Sequence, residues 1–221
     1  MRGRMASRGG NLQVSGIPRG LIAFTGAYLL AAVAGAAVSG NREFVFYLVV
    51  MAVLIAVISV VHRRVRLSGG LLWALSIWGF LHMAGGLVPV PKSWPYNPPD
   101  PVLYSLWLIP DRLKYDQVVH AYGFGVTTVM CWQALKAAVR GQGGGPLQAR
   151  AGVLTLCAAA GMGFGALNEV IEFVATLTMP HTNVGGYINT GWDLVSNLVG
   201  CAAAALLIRW REGPAATPPR T

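Results

Sequence analysis

Glu169 and Glu172 stand three residues apart in Leu167-Asn168-Glu169-Val170-Ile171-Glu172-Phe173, near the end of an apolar run that begins around Ala151 and is long enough to cross a bilayer. An ionisable group at such a position costs at least ~2.5 kcal/mol on insertion scales. Two of them call for a cationic partner, bound protons or a metal ion. Three other apolar runs carry polar residues of matching type: His82 in one, Asp116 and His120 in the next, Asp193 and Asn197 in the last. Spacings of four, three and four put each pair on one face of a helix that turns every ~3.6 residues.

These residues call for helices that cross a membrane. The chain is 54% hydrophobic and 11% charged, with a positive mean hydropathy, a composition that excludes an ordinary soluble domain. Six spans are predicted, at about 20–38, 44–61, 70–90, 113–139, 151–178 and 190–209, each long enough for ~30 Å of hydrocarbon. A basic segment, residues 1–19, precedes them, and a tail, 211–221, follows. The first apolar run is long enough to span, so the N-terminus does not read as a cleaved signal peptide. The expected fold is all-α: a polytopic membrane protein with a compact bundle of helices three to six.

The formal charge of +9 does not point to nucleic acid, because the Lys and Arg residues sit in short clusters between apolar runs. His62-Arg63-Arg64-Val65-Arg66, then Lys136, Arg140 and Arg150, then Arg209 and Arg211 alternate with loops that hold only Arg42, Lys92, Arg112 and Lys114. The positive-inside rule then puts both termini in the cytoplasm. The connection from Pro91 to Asp111 is rich in Pro, Trp and Tyr. It reads as a rigid interfacial loop with one short turn at Leu103 to Leu108, either a lid or an aromatic anchor. Cys131, Cys157 and Cys201 are widely spaced and read as reduced packing residues.

Depth is an independent check. At ~1.5 Å per residue, His82, His120, the two glutamates, Asp193 and Asn197 all fall ~5 to 14 Å inside the outer ends of their spans. They share one layer. Glycines beside them (Gly79, Gly85, Gly86, Gly123, Gly125, Gly161, Gly163, Gly165 and Gly200) would let four helices approach closely, leaving the first two spans as scaffold. Four carboxylates in one dry layer cannot all be ionised without compensation, and only Arg112 and Lys114 lie at its rim. Protons, a cation or helix packing could each account for the cluster, and a divalent ion such as zinc, manganese or iron is the leading expectation.

On that expectation His82, His120, Glu169 and Asp193 hold the ion, while Glu172 or Asp116 activates water. Asn197, Asn168 and Tyr115 support the cluster. Asp111 is a further candidate at the mouth, and His181 a candidate gate. The function that follows is a metal-dependent hydrolase of a lipid or lipid-linked substrate. The alternatives are a proton- or cation-coupled transporter and a non-catalytic lipid-binding or envelope protein. No GxSxG elbow, HExxH pair or basic phosphatase motif is present in the sequence.

Four short stretches also carry a resemblance: Phe80-Leu81-His82-Met83-Ala84-Gly85-Gly86, Tyr115-Asp116-Gln117-Val118-Val119-His120, Asn168-Glu169-Val170-Ile171-Glu172, and Trp192-Asp193-Leu194-Val195-Ser196-Asn197-Leu198-Val199-Gly200. In this order they resemble the uncharacterised bacterial inner-membrane family typified by YjdF and, more distantly, VanZ-like membrane proteins. The resemblance covers roughly 75–205. It implies a small polytopic membrane protein and groups these residues, but implies no reaction.

Overall fold

The computed structural model describes residues 16–40, 42–99, 101–179, 182 and 184–213. The basic residues Arg2, Arg4 and Arg8 and the candidate gate His181 lie outside the described residues. Among the described residues there are six long helices: α1 Arg19–Ser39, α2 Arg42–Val65, α3 Gly69–Leu87, α4 Tyr115–Gly141, α5 Ala151–Thr178 and α6 Tyr187–Glu212. Five of them, all but α4, are long and apolar enough to cross a membrane.

Local sequence sets several of the ends. Gly40 closes α1 in a left-handed conformation, φ 62°, and donates its N–H to Ala36 O. The Ser68 hydroxyl accepts from Leu71 N at the start of α3. Gln133 of α4 clamps that same serine, accepting from Ser68 N and donating to Ser68 Oγ, each at 2.9 Å. At the start of α4, Gln117 Oε1 accepts from the Lys114 N–H at 2.9 Å.

The connection between α3 and α4 is more ordered than one short turn. It holds a 3-10 turn, Leu103–Ser105, and a two-stranded antiparallel hairpin, β1 Trp107–Ile109 with β2 Leu113–Lys114. Pro110 fixes the first corner of the hairpin turn, Asp111 takes a left-handed φ of 55°, and Arg112 N donates to Ile109 O at 3.0 Å, the type II arrangement. Two isolated bridges, Pro89 with Val102 and Tyr96 with Leu106, fold the rest of the loop back on itself. The many prolines exclude a helix, as expected, but they leave enough N–H groups for these short pairings.

Helix α4 packs against α6, α5 and α3 and so occupies the middle of the bundle. Its closest approach is to α6. A Cβ on Gly200 would run into the carbonyl oxygen of Ala121, and one on Gly125 would meet the Gly200 carbonyl oxygen at 3.0 Å. Glycine there sets the spacing, as small residues do where membrane helices touch. The outer helices pack differently: Tyr28, Ala32 and Ala36 of α1 join Phe44 and Met51 of α2 and Met83 of α3 in a separate apolar cluster.

Candidate functional site

His120 sits on the second turn of α4 and is buried, and carboxylates from α4 and α5 and an amide from α6 converge on its ring. Asp116 Oδ1, one turn earlier on α4, lies 3.6 Å from Nε2, and Glu172 Oε1 of α5 lies 3.9 Å from the same atom. On the other side of the ring Glu169 Oε1 lies 3.6 Å from Nδ1, and Asn197 Oδ1 of α6 makes a 3.1 Å hydrogen bond to Nδ1. An amide oxygen only accepts, so Nδ1 is the donor in this pair, and Nε2 is the ring nitrogen that faces Asp116 and Glu172.

Asp193 and Asn197 are fully buried, 0% exposed, one turn apart on α6. Asn189, one further turn toward the loop, donates from Nδ2 to Asp193 Oδ2 at 2.5 Å and to Asp116 Oδ2 at 3.4 Å. Its Oδ1 accepts from Lys114 Nζ. Lys114 itself is buried, with Nζ 4.0 Å from Asp116 Oδ2. Asn189 does not stand out in the sequence as a member of the site, and its signal is the continued spacing of four along Asn189, Asp193 and Asn197. Lys114 is one of the two rim residues that the sequence offers, and its burial against the acids is what the sequence leaves open, because a lysine at the rim of a span usually reaches outward to water.

The charge balance remains lopsided. Four carboxylates face a single buried ammonium, and both oxygens of Glu169, Oδ1 of Asp193 and Nδ2 of Asn197 are buried with no hydrogen-bond partner among the described residues. Such atoms cost roughly 1–3 kcal/mol each, more for charged groups, unless something meets them. Asp116, His120 and Asp193 form one group, and His120, Glu169 and Glu172 another, in which one ligand atom from each residue lies within 4.8 Å of the others. A tetrahedral shell with bonds of ~2.1 Å spaces its ligand atoms by ~3.4 Å, so the observed separations need only small side-chain shifts to close on an ion.

The structure does not bring His82 into either group. Its ring is held edge-to-face between Tyr104, at 5.5 Å between ring centres, and Tyr47, at 6.2 Å. Depth places His82 in the right layer; the rotation of α3 turns it toward α2 and the loop. Tyr104 comes from the 3-10 turn, packs against Gly85 and donates its hydroxyl to His82 O at 2.8 Å. Burial, with the nearby carboxylates adding to it, pushes the Tyr104 phenol well above its ordinary range, so the hydroxyl stays protonated and donating.

The supporting residues have distinct partners. Asn168 Nδ2 donates to Glu172 Oε1 at 2.8 Å. Tyr115 donates to Leu81 O at 2.9 Å and so ties α4 to α3 without touching the cluster's acids. Asp111 is exposed on its turn, because a two-residue reversal at the hairpin tip points away from the bundle, and it does not extend the network.

Long apolar helices around a buried cluster of acids, amides and one imidazole define an integral membrane protein with an internal polar centre. The chain belongs to the family described as "Predicted membrane protein (DUF2238)", whose model matches residues 20–213. The resemblance to the YjdF type is met at this family level, and the more distant likeness to VanZ-like proteins finds no support. No curated protein and no solved structure matches the chain.

Proposed function

We propose that the chain is a divalent-metal-dependent hydrolase of a lipid or lipid-linked substrate in a bacterial inner membrane. The observation that carries this reading is His120: one buried imidazole with three carboxylates within 3.6 to 3.9 Å of its two ring nitrogens. His120 Nε2, Asp116 and Asp193 hold the ion, zinc, manganese or iron, as a mixed imidazole and carboxylate set that suits all three. Asn197, accepting from Nδ1, fixes the tautomer from behind, as the outer partner of a ligating histidine does. A bound ion would supply a Lewis acid for an ester or phosphoryl oxygen and would make water more acidic. Glu172, which accepts a hydrogen bond from Asn168, is placed to take a proton from water there. Glu169 faces the Nδ1 side, with Oε1 3.6 Å from that nitrogen.

Helix α4 is then the sixth span. Its buried polar residues Gln117, His120, Thr127 and Thr128 lie within the bundle with α3, α5 and α6, away from lipid. The basic ends support a common cytoplasmic face: Arg209 donates to Ala149 O at 2.8 Å, and Lys136 Nζ pairs with Glu212 at 2.6 Å, bringing the ends of α4, α5 and α6 together at the pole away from His120.

Metal analysis of the purified protein tests the reading. Wild type is expected to carry about one ion per chain, His120→Ala and Asp193→Asn to lose it, and Glu172→Gln to keep the ion while losing turnover of lipid esters and lipid phosphates. Equal, near-zero metal in wild type and variants, with the fold intact, sinks the hydrolase. A proton- or cation-coupled carrier then takes its place, since the carboxylates without hydrogen-bond partners would hold exchangeable protons.

A further inference from the structure

A cavity of about 380 Å³ lies between α1, α2 and α3 and meets the acid cluster at one end. Its wall runs along α2 from Tyr47 to His62, ~22 Å at ~1.5 Å per residue. Leucine, isoleucine and methionine side chains line most of that length. The polar residues concentrate at the two ends, apart from Tyr28, Thr25 and Ser76 between them, of which Thr25 and Ser76 bond each other at 2.7 Å. At one end stand His82 and Asn168; at the other, Ser59, whose hydroxyl is turned back to Ile55 O at 2.7 Å, and His62. Asn168 belongs to both places, since it lines the cavity and donates to Glu172. Helix α5 reaches the cavity through Asn168 and Ile171, whereas α2 makes its main backbone contacts with α1 and α4.

We infer that this cavity is the binding site for the single hydrocarbon chain of a lipid whose uncharged polar head lies at His82 and Asn168. Volume selects one chain. At the ~30 Å³ that a water-sized group occupies in a liquid, 380 Å³ holds about a dozen methylenes, enough for one acyl or prenyl chain and too few for the paired tails of a phospholipid. The size and apolar lining with a few polar groups are those of a ligand pocket, ~300 to 1,000 Å³. Orientation follows from chemistry. His82 and Asn168 offer an imidazole and an amide, which match a hydroxyl or ester, and the route from Asn168 to Glu172 brings that group to the acids. An anionic head would be repelled by four carboxylates unless the ion were bound. The inference rests on the hydrolase reading only for which end holds the head; the chain site stands on the cavity itself.

The test uses the full-length protein in detergent and two photoactivatable dodecanols, one with its diazirine beside the hydroxyl and one with it near the chain terminus. The uncharged head keeps binding independent of metal loading. Saturable labelling, competed by unlabelled dodecanol, is expected, with the head-proximal probe marking Tyr47, His82 or Asn168 and the terminal probe marking Ile58, Ser59 or His62. Gly26 lines the cavity and a Cβ there meets nothing within 4 Å, so Gly26→Trp fills the space without a collision at its root and Gly26→Ala leaves it open. Gly26→Trp is expected to lower saturable labelling at least tenfold, and Gly26→Ala and the lipid-facing Val53→Trp to leave it unchanged.

Labelling that does not saturate, that spreads equally to Val45, Val49 and Val53, or that shows the two probes exchanged would overturn the inference. If Gly26→Trp fails to fold, Ile55→Trp takes its place. Failure of the hydrolase reading looks different: wild type lacks metal, yet saturable labelling persists, as it also should in His120→Ala.

Discussion

Helices α2 and α4 are opposites. Of the five apolar helices α2 is the most apolar and the least buried, and its valines Val45, Val49, Val53, Val57 and Val60 form an exposed stripe at helical spacing. Helix α4 falls short of the hydropathy of a span, yet it lies between three neighbours and buries Gln117, His120, Thr127 and Thr128. Hydropathy therefore reports which helix faces lipid. It says little about which helix lies deepest in the protein, where the solvent for a side chain is other side chains and polar groups need partners more than they need to be absent.

The comparison can be broken where α4 meets α6. Gly200→Val places two methyls against the Ala121 carbonyl and is expected to cost at least ~3 kcal/mol, read as loss of monodisperse protein and a lower unfolding temperature. A lysine in the lipid-facing stripe comes next. Val53→Lys should cost ~2.5 to 3.5 kcal/mol of insertion, measured by glycosylation mapping, whereas Lys114 is carried near the start of α4 because Asn189 and Asp116 meet it. A Val53→Lys helix that inserts as well as wild type would remove α2 from the membrane.

Smaller effects sharpen the inner half of the contrast. Asn189→Ala removes the amide that joins Asp116, Asp193 and Lys114, and metal affinity is expected to fall ~10- to 100-fold in chelator competition, the range for outer partners of a metal shell. Affinity for the ion should fall as pH is lowered, because the ligating forms are a neutral imidazole and ionised carboxylates; titration with the ion at pH 7.5 and 5.5 checks the sign. His82→Ala, outside both ligand groups, should keep its metal. The smallest change is Val53→Ala, within ~0.5 kcal/mol, since lipid replaces the lost contact.

Much of this architecture can be read before folding. Helix α5 runs over Ala151–Thr178, as the apolar run predicts, and the other helices begin and end within a few residues of their expected bounds. The acids and His120 cluster because three features agree: spacing on one face, depth from the nearest end, and glycines that admit a close neighbour. Rotation about a helix axis is what spacing and depth leave open when a helix carries only one polar residue. His82 has no second polar residue on its turn, so nothing in α3 says whether it faces α4 or α2. Asn189 lies outside the apolar run that defined the sixth span, and the hairpin at Trp107 to Lys114 depends on where α3 ends and α4 starts, a tertiary matter. Lys114 is legible only as a rim lysine for a related reason: its burial takes effect only once Asn189 and Asp116 are beside it.

Three tyrosines give α3 an unusual mechanical status. Tyr104, Tyr115 and Tyr122 donate their hydroxyls to the carbonyl oxygens of His82, Leu81 and Ala74, at 2.8, 2.9 and 3.1 Å. Each bond uses a second lone pair on an oxygen of the helix, so α3 is fastened to α4 and to the loop without giving up its own ladder. Helix α1 is packed on α3 as closely as α4 is, so α2, the least buried of the apolar helices, is the loosest wall of the cavity. Movement of α2 would open the cavity while the distances around His120 stay constant, so a chain site there would be uncoupled from the polar cluster by a stiff partition.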